Sequence, residues 1–161
     1  MEVVRRIKRG TGIRRIGHAG TLDPIATGVI PVCLGQATRL MEYLVSGSKE
    51  YRATIELGIE TDTYDSLGKI LGTKPVKTLN LSTLKQSLAL FKGTVEQTPP
   101  MYSALKQRGK RLYNLARSGI HVDRPARLVD VFRLDLVDWV PPFITIEVTS
   151  GPGFYVRSLA H

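Results

Sequence analysis

The residues best suited to chemistry stand close together near the start of the chain. Residues 17–24 read Gly-His-Ala-Gly-Thr-Leu-Asp-Pro, which sets His18 and Asp23 among two glycines and a proline. Glycine lets a backbone approach a ligand closely. Proline after Asp23 keeps that residue's own backbone extended. A loop of this kind presents one carboxylate in a defined pose, as a nucleophile or general base requires. The same composition also suits an ordinary turn, the commoner use of Asp before Pro. His18 has an equally plain alternative, a loop histidine hydrogen-bonded to nearby backbone.

The other candidate groups narrow the reaction class. The histidines are His18, His121 and His161, and the single cysteine is Cys33. Their spacing does not resemble a zinc site. The sequence has no Walker glycine loop, dinucleotide fingerprint or nucleophile elbow. Cys33 stands in the apolar run Val29-Ile30-Pro31-Val32-Cys33-Leu34, where a buried, inert thiol is expected. Asp62 and Asp65 share an acidic loop, but a Mg²⁺ site usually needs more ligands than two carboxylates. They read as Asx turns or caps. No metal and no organic cofactor are expected.

The elements that must position these groups follow from pattern and punctuation. Residues 2–8 read as an amphipathic helix stopped near Gly10 and Gly12. Residues 17–24 read as a loop, 28–34 as a buried strand and 37–45 as a helix. Residues 51–57 alternate apolar and polar, as a half-buried strand does. An acidic loop at 60–68 leads to a short strand within 69–76. A helix over 82–91, with Ser82 as N-cap, precedes a strand over 93–97. A helix over 110–118 ends at Gly119. Strands at 128–140 and 143–149 flank Pro141-Pro142, and a helix starts at Phe154 after the turn Gly151-Pro152-Gly153. Strands cluster without strict βαβ alternation, so the fold class is α+β, a mixed, largely antiparallel sheet with helices packed on it.

Length and charge bound the rest. The 161 residues suit one domain, and 42% hydrophobic residues suit a folded core. No apolar run approaches the roughly 20 residues that span a bilayer, and no secretory signal opens the chain. A cytoplasmic location is expected, with no membrane association. The formal net charge of +9 and pI near 9.9 make a polyanion a plausible partner. Arg5, Arg6, Lys8, Arg9, Arg14 and Arg15 form one basic cluster. Lys106, Arg108, Lys110, Arg111, Arg117, Arg124 and Arg127 form a second, with Tyr102 and Tyr113 within or beside it. Such a run can neutralise phosphates and stack bases, or simply be a solvated surface.

Beyond the first loop the match to a known family becomes specific. The loop resembles the signature of the TruB-type tRNA pseudouridine synthases, and Ala26-Thr27-Gly28-Val29-Ile30-Pro31-Val32-Cys33-Leu34-Gly35 and Ala37-Thr38-Arg39 continue it. Lys49-Glu50-Tyr51 with Ala53 is similar to that family's second motif. Gly58, Thr61-Asp62-Thr63-Tyr64-Asp65 and Gly68 follow in the expected order. Next come Gln97-Thr98-Pro99-Pro100-Met101-Tyr102-Ser103-Ala104-Leu105-Lys106 and the segment 109–119. The last match is Ser150-Gly151-Pro152-Gly153-Phe154-Tyr155-Val156-Arg157-Ser158-Leu159. The resemblance spans essentially the whole chain. Its segment 61–68 is more similar to the bacterial stand-alone enzymes than to the guide-RNA relatives.

The resemblance implies the pseudouridine synthase fold and isomerisation of uridine 55 in the tRNA T-arm, without cofactor. It implies that Asp23 is the catalytic aspartate, that Arg157 pairs with it, and that Tyr51 stacks on the target base. It assigns His18 to extruding or replacing the flipped nucleotide, and Tyr155 to the same pocket. The expected partner is the T-arm stem-loop of tRNA, with no obligate protein partner and a monomeric state. Against the family pattern, an N-terminal strand and a C-terminal RNA-binding domain of the PUA type are not represented, so residues 1–161 are expected to be a catalytic domain incomplete at both termini. Two other readings stay open. One is a non-catalytic RNA-binding or RNA-folding module; the other is a guide-RNA-dependent synthase core.

Overall fold

Strand β3 (Lys49–Glu56) shows how closely pattern dictates structure in this chain, because its residues alternate between half-buried and exposed along its whole length. The structure is a computed structural model, and it describes residues 2–76, 79–107 and 109–161. The chain divides into two compact units, one ending at Gly47 and one running Ser48–His161.

The first unit opens with α1 (Glu2–Thr11), whose basic residues Arg5, Arg6, Lys8 and Arg9 are all exposed. Strands β1 (Ile16–His18) and β2 (Val32–Leu34) pair antiparallel, with Gly17 opposite Cys33. The expected loop over 17–24 therefore begins as strand. The expected strand over 28–34 shrinks to its last three residues, and Val29 is 92% exposed. An apolar run does not by itself fix burial. A 3-10 helix (Gly35–Leu40) leads into α2 (Met41–Ser46). The expected helix is present as two pieces, but Leu40, Leu44 and Val45 are exposed. Gly17 has a packing reason to be glycine: a Cβ there would meet the Met41 sulfur at 2.0 Å. Cys33 is buried, as expected.

The second unit centres on a four-stranded antiparallel sheet. It is built from β3, β6 (Gly93–Gln97), β9 (Arg127–Val140) and β10 (Phe143–Ser150), in the order β3-β10-β9-β6. Ile144, Ile146 and Val148 of β10 face the core, beside Val129, Val131 and Leu134 of β9. Strand β9 does not alternate strictly, because Phe132 and Val137 are extra residues at two register shifts against β10. Each bulge inserts one residue and restores the inward face beyond it. The outward side is mixed: Arg52 Nε donates to Glu147 at 3.0 Å and Arg133 donates to the same carboxylate at 3.4 Å, while Leu128, Phe132, Val140 and Phe143 are exposed.

Helices cover the core face. Leu84 and Leu88 of α3 (Leu81–Ala89) and Val156 and Leu159 of α5 (Val156–Ala160) pack on the same cluster. The N-cap of α3 is Asn80 rather than the expected Ser82. Its side-chain oxygen accepts from Thr83 N–H at 2.7 Å, satisfying one of the helix's unpaired amides. Two hairpins complete the unit. Strand β4 (Ile59–Thr61) pairs with β5 (Ile70–Thr73), and β7 (Lys106–Gln107) pairs with β8 (Lys110–Arg111). Hence α4 (Leu112–Arg117) starts two residues later than expected, since Lys110 and Arg111 are spent on the hairpin. Among the described residues no helix is long and apolar enough to cross a membrane.

Candidate active site

Asp23 occupies the long connection between β1 and β2. The base of that connection is closed by a backbone bond, Ala19 N–H donating to the Pro31 carbonyl at 3.0 Å, and at the far end of the β1–β2 pair Gly35 N–H donates to the Arg15 carbonyl at 2.8 Å. Inside it, Ala26 N–H donates to the Asp23 carbonyl at 2.9 Å. Asp23-Pro24-Ile25-Ala26 is thus a β-turn with proline at its second position, where its fixed φ is favoured. Asp23 is half-buried and is the turn's first residue. The plain turn reading of this residue is therefore correct for its backbone, and it does not decide the role of its carboxylate. His18, also half-buried, hydrogen-bonds through Nδ1 to the Gly20 carbonyl.

The second unit holds Tyr51, Tyr155 and Arg157. Tyr51 lies on β3 opposite Val148 and packs against the core cluster. Tyr155 is the residue before α5. Its N–H donates to Gln97 Oε1 at 2.8 Å, and its carbonyl accepts from Gln97 Nε2 at 3.0 Å. Arg157 is buried at the first turn of α5. Its Nη1 donates to the Thr63 carbonyl at 3.1 Å and its Nη2 to the Tyr102 carbonyl at 2.9 Å. It also forms an ion pair with Asp65 at 3.6 Å, the two side chains being 9% and 7% exposed.

Asp65 and Gln97 are the residues that sequence reasoning undervalued. The Asx-turn expectation holds for Asp65, whereas Asp62 accepts from a backbone N–H seven residues on, across the loop. Asp62 accepts from Lys69 N–H at 2.8 Å, and Asp65 Oδ1 accepts from Leu67 N–H at 3.0 Å and Thr63 Oγ1 at 2.7 Å. Asp65 has a second duty, since its other oxygen faces Arg157. Gly68 closes that loop, and a Cβ on it would meet Thr63 Oγ1 at 2.3 Å. Both Asp65 and Gln97 lie in motifs that stood out in the sequence, but nothing in the motifs told their partners. Among the described residues no three His, Cys, Asp or Glu side chains gather into a metal-ligating group.

The second basic cluster is partly structural. Arg124 is half-buried and donates to the Pro99 carbonyl at 2.9 Å. Lys106, Lys110, Arg111, Arg117 and Arg127 are exposed, and Arg108 lies outside the described residues. Arg111 and Arg117 both stand over the Tyr113 ring, at 5.8 and 5.7 Å from its centre.

The turn that presents Asp23, the α5 start that presents Arg157 and the strand that presents Tyr51 all coincide with the sequence motifs of one family. Residues 8–156 match the model of the TruB family pseudouridylate synthase, N-terminal domain. This chain belongs to the TruB family. Relatives named tRNA pseudouridine synthase B include those of Dehalococcoides mccartyi at 49% identity, Trichormus variabilis at 46% and Clostridium tetani at 42%. Each alignment covers 99% of this chain and 53–55% of the relative, so the TruB-family chain spans about half their length. Among solved structures, the crystal structure of a Cbf5–Nop10–Gar1 complex matches at TM-score 0.72 and 28% identity, covering 99% of this chain and 38% of that one. An H/ACA RNP bound to a substrate RNA containing 2′-deoxyuridine matches at TM-score 0.66 and 25% identity, covering 99% and 36%. The α+β fold with its antiparallel sheet is shared with these structures.

Proposed function

We propose that residues 1–161 form part of the catalytic domain of a tRNA pseudouridine synthase acting on uridine 55 of the T-arm, with Asp23 as the catalytic carboxylate. The observation that carries this reading is the family match over residues 8–156, together with relatives that are named tRNA pseudouridine synthase B. The Asp23 motif lies within that match.

The chemistry needs little apparatus. The C1′–N1 bond of uridine breaks, the base turns, and C5 bonds to C1′. The proton lost from C5 is balanced by one taken up at N1. No electrons enter or leave, so the reaction itself demands no redox partner. Asp23 acts as nucleophile or base and must be ionised, which an adjacent guanidinium favours. Arg157 is proposed for that task. A planar guanidinium favours the charged form of a carboxylate and orients it bidentately. A stacked uridine hides its glycosidic bond, so it must leave the stack, at a cost of a few kcal/mol. Stacking on Tyr51 returns about 1–3 kcal/mol of that. His18 is proposed to fill the vacated place, and Tyr155 to line the pocket.

The guide-RNA-dependent alternative draws on the likeness to the Cbf5–Nop10–Gar1 complex and the H/ACA RNP, but at 25–28% identity against 42–49% for the relatives named tRNA pseudouridine synthase B. The test is conversion of an unmodified T-arm stem-loop by the full-length protein, read by mass spectrometry. Asp23→Asn is expected to lower turnover by about 10³-fold or more, at the upper end of what a positioned acid–base group contributes, while RNA affinity stays within about threefold of wild type. Tight binding with no conversion by the wild type would overturn the enzymatic reading. Full turnover by Asp23→Asn would overturn the assignment of that residue.

A further inference from the structure

Gln97 is buried at the end of β6, and both ends of its amide are used on one residue. It donates to the Tyr155 carbonyl and accepts from the Tyr155 N–H. A primary amide thus pairs with a backbone peptide as a neighbouring strand would, across 58 positions of sequence. Two further bonds continue the seam. Ser158 Oγ donates to the Thr98 carbonyl at 2.7 Å, and Arg157 Nη2 donates to the Tyr102 carbonyl. Residues 97–102 therefore splint the start of α5 at Tyr155, Arg157 and Ser158. Pro99, Pro100 and Met101 are themselves buried, so the splint is fixed in place. Tyr155, at the N-cap of that helix, gives it no side-chain cap, so the helix start takes these bonds from the 97–102 segment instead.

We propose that Gln97 is a positioning residue for the reaction: its two-ended clamp on the Tyr155 backbone sets the placement of the Tyr155 ring and the Arg157 guanidinium. The inference rests on the reading of those two residues as part of the substrate pocket. The role is directional. Glutamate has nearly the same shape but cannot donate, and it sets a carboxylate oxygen against the Tyr155 carbonyl. Methionine keeps the volume and removes both bonds. Misplacement by about 1 Å of a group that orients the reacting atoms costs on the order of 100-fold in rate.

The test uses the full-length protein and the T-arm stem-loop. Gln97→Glu and Gln97→Met are each expected to lower kcat by about 10- to 100-fold while RNA affinity stays within about threefold. In a double-mutant cycle with Tyr155→Phe, which leaves the backbone clamp intact, the effects on kcat are expected to be non-additive. The Arg157 guanidinium signals in nitrogen-edited NMR are expected to move in Gln97→Glu, with the signals of Ile146 and Val148 unchanged. That spectroscopic arm stands whether or not turnover is seen. Unmoved Arg157 signals, or full kcat in both variants, would overturn the positioning role while leaving Asp23 chemistry intact. A wild type without turnover would count against the enzymatic reading alone.

Discussion

Around Asp23 the chain is secured by a backbone bond at the base of the loop and by one proline turn; around Arg157 it is secured by buried side chains. In the first unit Ala19 and Cys33 are the buried hydrophobic residues among those described, and Val29 within the loop is almost fully solvated. In the second, Arg157 is nearly enclosed and bonded to a carboxylate and two carbonyls from separate segments. The difference shows two ways of presenting a charged group. A pre-set guanidinium loses little on binding a planar partner. A loop held at its base keeps room for a substrate to enter.

Three substitutions probe this contrast, from strongest to weakest. Asp65→Ala removes one carboxylate from the buried Arg157 together with the bonds from Thr63 and Leu67, and a hydrogen bond to a charged group is worth about 1.5–3 kcal/mol. Urea unfolding should show that loss, and a change below about 1 kcal/mol would mean the guanidinium is solvated after all. Gly17→Ala drives a methyl into Met41, and overpacking costs typically about 1–3 kcal/mol. Methionine is flexible, so a loss near the lower bound is expected, measured as a fall in the urea midpoint. An unchanged midpoint would show that the β1–β2 base is loosely packed. Val29→Ser should change stability by less than about 0.5 kcal/mol, as exposed positions do. A larger loss in thermal melting would reveal packing on the loop that the contrast denies.

Legibility in the sequence followed the range of the forces involved. Strand β3 could be read because each of its residues declares its own face. The 143–149 strand was legible for the same reason, whereas the 93–97 strand ends on Gln97, a polar residue that is buried. The N-cap of α3 was missed by two residues, since Asn80 and Ser82 offer the same chemistry and only geometry chooses between them. The apolar run at 28–34 misled because its Val29 meets water. In the candidate site, family motifs pointed to Asp23, His18, Tyr51, Tyr155 and Arg157. The Asp65 contact was not legible: Thr63 in the same loop is 94 positions from Arg157, and no local pattern encodes such a pairing. Gln97 was quoted within a motif, yet its two-ended use depends on where Tyr155 arrives.

The two bulges in β9 carry a consequence for how this family can vary in length. Phe132 and Val137 are surplus to the register, so losing either one would straighten the strand while Val129, Val131, Leu134 and Leu136 kept their sides. Strand β10 has no such slack. Removing one residue there would turn every side chain beyond it to the opposite face, exchanging Ile144 and Ile146 for Thr145 and Glu147 in the core. Length changes in relatives should therefore accumulate at the first strand and be purged from the second, making β9 a hinge for insertion and deletion and β10 a fixed ruler.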